Sequence, residues 1–435
     1  MTEPLDYERQ PVQPPKGAMT AIFFIVLSDL IGFGLIIPAL PFYARQYHAS
    51  DLQIGLMFAS YSLCQLIGSP ILGLASDRFG RRPVLIFSQL GSVVGYLILA
   101  RATWTQWANP MHGLALVYLS RIIDGFSGGN VSTAQAYVSD VTSPAGRAKA
   151  MGMLGAAFGI GFSIGPGVGG ILGAIHHSLP ALAAAVFSLT AAMLTIFRLK
   201  EPARHSHESD DEVLLWLHPA RFRPILQNRT IVQMLGISFI TMSAFVMLES
   251  VFAIFLNDRF KFQELQVGLF FAFVGVIIVI VQGGLVGRLT KRFGEWNLVI
   301  SGSIGVAIAM GIYVLVGSFS SIVVTSGVIL ILIAGFFNAS GRSIMTPTLS
   351  ALISQHADAR RQGATFGLYH MLGSLARVIG PVIATAIYAG HITGPFVLAG
   401  MLALIVSAWA ATLRVSVASH HLAVQSIPQT SASHE

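Results

Sequence analysis

Apolar residues in this chain fall in long runs separated by short polar or charged stretches. Neither the two-residue alternation of a half-buried strand nor the narrow stripe of a surface helix dominates the pattern. A helix rises about 1.5 Å per residue, so about 20 apolar residues cross the hydrocarbon core of a bilayer. Runs of that length predict twelve membrane-spanning helices, at approximately 19–43, 53–75, 84–103, 112–139, 149–174, 179–198, 230–256, 266–287, 297–317, 321–354, 363–389 and 393–414. The first eighteen residues are polar and contain proline, and the first run continues without a small-residue cleavage site. It therefore reads as a retained helix rather than a removed signal. The expected fold class is an all-α membrane protein of twelve helices.

Composition sharpens this picture. Of 435 residues, 54% are hydrophobic and 10% charged, and the mean hydropathy is +0.71. A soluble domain carries about 25% charged residues to solvate its surface, so lipid must cover much of this one. The single Cys64 excludes an internal disulfide framework or a multi-cysteine metal site. Histidines in the expected loops and tails (His176, His177, His205, His207, His420, His421) lack the spacing to acids or cysteines that a metal site needs.

The net charge of +7 would suit a nucleic-acid partner if the basic residues clustered on one solvated face, but they sort by loop. With the N-terminus placed inside, 19 of the 26 lysines and arginines lie in inner loops and tails, among them Arg78, Arg81, Arg82, Arg147, Lys149, Arg288, Lys291, Arg292, Arg360 and Arg361. Four lie on the opposite side (Arg45, Arg101, Arg259, Lys261) and three within spans (Arg121, Arg342, Arg377). By the positive-inside rule both termini are expected in the cytoplasm, and the basic excess records membrane insertion, with no nucleic-acid partner.

The longest polar segment, 199–229, divides the spans six and six. The expected organisation is a cytoplasmic tail (1–18), a six-helix bundle (19–198), a cytoplasmic linker (199–229), a second six-helix bundle (230–414) and a cytoplasmic tail (415–435). The halves echo one another. Arg78-Phe79-Gly80 lies between spans 2 and 3, and Arg292-Phe293-Gly294 lies 214 positions later between spans 8 and 9. Gly165-Pro166 in span 5 returns as Gly380-Pro381 in span 11, at an offset of 215. A duplicated six-span unit predicts a transporter with two pseudo-symmetric halves and a substrate site near mid-membrane.

Several motifs resemble the major facilitator superfamily, and within it the twelve-span drug:proton antiporters of the tetracycline-exporter-like branch. Gly73-Leu-Ala-Ser-Asp77-Arg78-Phe-Gly80-Arg81-Arg82 resembles the superfamily signature after span 2. The resemblance implies a conformational latch there, its acid meeting the start of span 11 and its basic residues holding the inner surface; a charged turn that only enforces topology is the alternative. Gly161, Gly165, Gly169 and Gly173, four apart, are expected on one face of span 5, where small residues let another helix approach. With Pro166 and Gly170 the stretch resembles the antiporter motif of the family, which implies export; helix packing without directional meaning is the alternative. It follows no strand, which argues against a phosphate loop. Asp29 through Pro41 in span 1, and Tyr137-Val-Ser-Asp140 with Arg147-Ala-Lys149-Ala-Met-Gly152 around the end of span 4, resemble tetracycline exporters. Those proteins carry an acid in span 3 about where Gly95 stands, and another in span 9, where 297–317 has none.

Ionised residues inside a span are costly to insert, so each is a candidate site. Asp29 lies in span 1, Arg121 and Asp124 in span 4, Glu249 in span 7, Arg342 in span 10 and Arg377 in span 11. The resemblance implies that spans 1, 4, 7 and 10 line a central cavity. Arg121 and Asp124, three apart, can pair on one helix face, either as a self-neutralising ion pair or as a proton relay. The resemblance implies that Arg121 controls proton traffic, with Asp124 an addition to the pattern. Asp29 is expected to carry the proton, because its ionisation responds to hydration and to the distance of an arginine, and to bind a cationic or polar substrate that competes with that proton. Glu249 is expected to carry a second proton or bind cationic substrate, or to pair with a cavity arginine. Arg342 is expected either to neutralise Glu249 or to admit substrates with an anionic or zwitterionic group, and Arg377 is expected to be structural. Asn338, Gln65 and Phe245 complete the expected substrate pocket, with ordinary helix packing as the alternative for each.

No motif for nucleotide hydrolysis or nucleophilic catalysis is present, so no enzyme is expected. The leading expectation is a monomeric, proton-coupled exporter of small amphipathic molecules in the inner membrane, using no cofactor or metal; the choice of proton over sodium rests on the resemblance. A carrier of an endogenous metabolite or siderophore is the second reading. A receptor or lipid-handling enzyme is a third.

Overall fold

Inside lipid no water pairs with backbone N–H and C=O groups, so a chain of this composition satisfies them within helices. The computed structural model describes residues 17–105, 107–142, 144–202, 219–319, 324–358 and 361–425, and among these residues there is no strand. The helices are α1 (Ala18–Ile36), α2 (Leu40–Gln46), α3 (Asp51–Phe79), α4 (Arg81–Trp104), α5 (Pro110–Ser127), α6 (Asn130–Val141), α7 (Pro144–Ile175) and α8 (Leu179–Arg198). After them come α9 (Pro219–Gln227), α10 (Arg229–Phe260), α11 (Glu264–Ile280), α12 (Val286–Phe293), α13 (Glu295–Ser318), α14 (Val324–His356), α15 (Gln362–Gly390) and α16 (Gly394–Gln425). Among the described residues, ten helical stretches are long and apolar enough to cross a membrane, and Gly159–Ile175 is a shorter apolar one. The pair α5 and α6 accounts for the remaining expected span.

Two runs expected to be continuous are broken, and a third stays helical but changes its winding. Span 1 turns at Ile37-Pro38-Ala39 between α1 and α2, where proline has no N–H to donate. Span 4 breaks at Gly128-Gly129, and Gln65 Nε2 donates to the Gly128 carbonyl at 3.1 Å. Span 8 passes from α11 to α12 through a π turn at Val281–Leu285, which contains Gly283 and Gly284. Of the expected linker, 203–218 lies outside the described residues, as do 1–16 and 426–435; within it α9 forms a short helix, and the last helix runs on to Gln425.

The chain divides into two compact units. The first comprises Met1–Ser209, Ser250–Val279 and Pro381–Ala389, and the second Asp210–Glu249, Ile280–Gly380 and Gly390–Glu435. In the first, Ile22, Ile25, Val26 and Leu30 of α1 pack with Leu85, Tyr137, Val138, Leu154 and Ala191. In the second, Met234, Leu235 and Ile237 of α10 pack with Val299, Met345, Leu349, Leu352 and Val406. Burial of these side chains positions the polar groups described below.

The internal repeat is visible in the backbone. α4 and α13 are each 24 residues long, and their ends stand 214 positions apart. Each follows a glycine with nearly the same torsions, φ 107° and ψ 153° at Gly80 and φ 77° and ψ 158° at Gly294. That region is essentially closed to residues with a Cβ. Just before each glycine an arginine lies over the next residue's ring, Arg78 on Phe79 and Arg292 on Phe293.

Candidate functional site

In the first unit, Arg121 and Asp124 are 1% and 2% exposed, and Arg121 Nη1 stands 3.1 Å from Asp124 Oδ2. The guanidinium also lies over the rings of Tyr61 and Tyr96, at 5.8 and 5.6 Å from their centroids, where ring quadrupoles favour a cation. Ser92 and Tyr96 of α4 flank the Asp124 carboxylate, and Tyr96 lies within electrostatic reach of Asp29. Arg121 Nη2 is buried and makes no hydrogen bond among the described residues. Gln65 Nε2 also lies 3.4 Å from Tyr61 Oη, which joins it to the edge of this cluster. Gly95 explains the tight fit of α4 against α5. A Cβ there would stand 3.1 Å from both Asp124 Cβ and the Ser120 carbonyl. The space over Gly95 is thus closed by Asp124 Cβ and the α5 backbone.

Where α3 passes into α4, Asp77 pairs with Arg81 at 2.5 Å, and Arg81 Nε donates to Asp140 at 2.9 Å. Arg81 Nη1 donates to Ser76 Oγ and Arg82 Nη2 to the Ile196 carbonyl, both at 2.6 Å. Arg78 and Asp77 are exposed, and a Cβ on Gly73 would meet nothing within 4 Å. Sequence reasoning missed Glu201. Its two carboxylate oxygens accept the backbone N–H groups of Arg81 and Arg82 at 2.6 and 2.9 Å, an anion set on a helix N-terminus. Tyr137 Oη donates to the Lys200 carbonyl beside it, at 2.9 Å.

The expected single glycine face of α7 is in fact two. Gly161, Gly165 and Gly169 pack against Leu30, Gly34 and Leu35 of the first span. Gly173 instead meets Glu264 of α11, and Gly170 meets Gly268 of the same helix. A four-residue spacing advances about 40° past a full turn each time, so after three steps the last glycine has rotated to another neighbour.

Charged groups from distant parts of the sequence also meet in this unit. Arg45 donates to both oxygens of Asp258, at 2.5 and 2.9 Å, and to Asp51 at 3.2 Å and Asn257 at 3.1 Å. Tyr388 Oη donates to Asp258 at 2.9 Å. His177 Nδ1 lies 2.5 Å from Glu264 Oε1, with Glu264 3% exposed. The hydrogen bond to Glu264 raises the His177 pKa above the usual histidine value, against desolvation. A raised pKa means that the pair stabilises the fold fully below about pH 6.5, and that this contribution is lost as pH rises through the raised value. Solubilised wild-type protein is therefore expected to lose thermal stability across that window relative to His177→Gln; parallel melting curves at all pH values would contradict the pairing.

In the second unit, Phe245 and Glu249 share a face of α10, four residues apart. The Arg342 guanidinium of α14 lies over the Phe245 ring. Asn338 precedes Arg342 by one turn on the same face. Glu249 lies within electrostatic reach of both Arg342 and Arg377. Arg377 also acts on His370, two turns earlier on α15. His370 carried no signal in the sequence, because a lone histidine in an apolar span is more often a packing residue. The stripe His370, Ser374, Arg377, at spacings of four and three, is the pattern that would have exposed it.

Helices of this length, paired by internal repetition and carrying buried charges near their middles, define a membrane carrier. Residues 22–340 match the model of the Major Facilitator Superfamily, and the chain belongs to that family. The tetracycline resistance protein, class C, of Escherichia coli is 35% identical over 378 residues, covering 86% of this chain and 90% of that protein. Multidrug resistance protein 2 of Bacillus subtilis (strain 168) is 28% identical over 404 residues, covering 88% and 93%. The D-xylose-proton symporter shares the fold, with a TM-score of 0.72 and 16% identity over 90% of this chain and 96% of that one. The chain is an integral membrane transporter of small molecules in the tetracycline-exporter-like branch, and not an enzyme.

Proposed function

We propose that this protein is a proton-coupled antiporter that exports small amphipathic molecules across the cytoplasmic membrane, working as a monomer with both termini in the cytoplasm. The observation that carries the reading is the buried Arg121–Asp124 pair, enclosed by two tyrosine rings, of which Tyr96 lies within electrostatic reach of Asp29. A guanidinium that can face either of two carboxylates gives a proton two alternative holders. When Arg121 turns to one acid, the other is left to take up a proton. A cationic or polar part of the substrate entering beside Asp29 competes with the proton for that carboxylate and releases it, so exchange needs no separate coupling device. Asp124 takes over the duty of the acid that tetracycline exporters carry in span 3, a reading supported by the packing of its Cβ against Gly95. The basic loops and the names of the two resistance relatives support the membrane, the orientation and the direction of transport. Asp77, Arg81, Arg82 and Glu201 form the latch at the α3–α4 turn, and Gly165, Pro166, Gly169 and Gly170 hold α7 against its neighbours.

In sealed proteoliposomes, substrate-driven proton release by Asp29→Asn is expected to fall to that of empty vesicles, while the solubilised variant elutes as a folded monomer. Undiminished release would remove Asp29 from the coupling path.

A further inference from the structure

We infer that the exported substrate carries an anionic group, received in the second unit by Arg342 and Arg377; this rests on the exporter reading above and narrows its substrate class. Among the described residues, the span interiors of the second unit hold one carboxylate, Glu249, and two guanidiniums, Arg342 and Arg377. Both arginines act on Glu249, so the three belong to one electrostatic group. One arginine would suffice to neutralise that acid. The group as a whole keeps a surplus positive charge near mid-membrane, which is costly unless it serves a ligand or water-filled space.

Both arginines also turn away from lipid. On α14 the exposed apolar stripe is Ile329, Leu332, Ile333, Phe336 and Phe337. At 100° per residue, Asn338 and Arg342 lie about half a turn from its centre. On α15 the exposed apolar stripe is Met371, Leu375 and Ile379. Arg377 stands on the other side of that helix with Ser374 and His370, and its side chain is exposed. An exposed guanidinium at this depth, opposite the lipid face, borders water.

The geometry suits an oxyanion. A guanidinium presents a planar fork of donors that matches carboxylate, sulfonate or phosphate oxygens. Phe245 beneath Arg342 supplies an apolar wall for the rest of the molecule, and Asn338 adds a neutral donor one turn away. Glu249 competes with the incoming anion for the same cations. The site therefore selects amphipathic anions or zwitterions over simple cations.

Two xanthene dyes of similar size test this, fluorescein as the anion and rhodamine 6G as the cation, by fluorescence anisotropy with the solubilised full chain. Wild-type protein is expected to bind fluorescein more tightly. Arg342→Gln should lower the fluorescein-to-rhodamine affinity ratio about tenfold or more, the scale of one charge-assisted hydrogen bond. Glu249→Gln should raise that ratio, a change in the opposite direction that a damaged fold cannot produce. A wild-type preference for rhodamine 6G, or an unchanged ratio in either variant, overturns the inference. In proteoliposomes, dissipation of a pH gradient by rhodamine 6G alone would keep the exporter reading and overturn this one. Anion-selective binding with no gradient dissipation by either dye would overturn the exporter reading and leave the anion site standing.

Discussion

Arg121→Ala is expected to lower the unfolding free energy by about 3–5 kcal/mol, the usual result of removing one partner from a buried ion pair. Asp124, 2% exposed, would be left among Ser92, Tyr96 and the α4 backbone without its counter-ion. The double variant Arg121→Leu with Asp124→Leu should recover most of that stability, because apolar residues of similar volume can replace a buried pair at little net cost. Transport should nevertheless remain absent in the double variant, since no group is left to exchange a proton with Asp29. Chemical unfolding and proteoliposome transport, measured on the same preparations, separate the two contributions. A stable Arg121→Ala protein would show that the pair is not the buried contact described. A double variant that transports would show that the pair serves packing alone.

The second large effect is expected where α7 crosses α11. A Cβ on Gly268 would stand 2.6 Å from Gly170 Cα and 2.7 Å from the Pro166 carbonyl, so the obstacle is backbone. On α7, a Cβ on Gly173 would overlap the Glu264 carboxylate that His177 holds. Backbone cannot yield as a side-chain tip can, so Gly268→Leu must part the two helices. The expected cost is about 1–3 kcal/mol or more from overpacking, together with loss of the His177–Glu264 contact. Gly311→Ala in α13 is the matching control. Its Cβ would meet nothing within 4 Å, and alanine is favoured over glycine in a helix by up to about 1 kcal/mol. Equal melting temperatures for Gly268→Leu and Gly311→Ala would refute the close crossing.

Much of this architecture was legible from hydropathy, because lipid imposes a length rule on every crossing helix. The duplicated loop motif was legible too, and its glycines carry the same torsions. What the sequence hid were the breaks. Pro38 interrupts a run whose hydropathy does not fall, so a window average passes over it, while the polar stretch around Gly128-Gly129 reads as a mere dip inside one long run. Long-range polar partners were hidden for another reason. Arg45 was counted only as a loop charge, yet its carboxylate partner Asp258 lies 213 residues away, and no local spacing announces it. Glu201 caps a helix that begins 120 residues earlier. The mid-span charges were all found from sequence, because an ionised residue among apolar ones stands out without knowledge of its partner. The division of the α7 glycines between two neighbours required only the helical angle, which the four-residue stripe obscured.

The repeat register has a consequence for how the two copies have diverged. The 214-residue offset that superposes α4 on α13 also takes Pro110, the start of α5, to Val324, the start of α14. In that register Asp124 corresponds to Asn338, and Gly128 corresponds to Arg342. An acid in the first copy has become its neutral isostere in the second. The glycine that breaks the first copy's helix has become an arginine inside an unbroken one. The copies have kept a common shape while their electrostatics have become antisymmetric, one acid-rich and the other cation-rich.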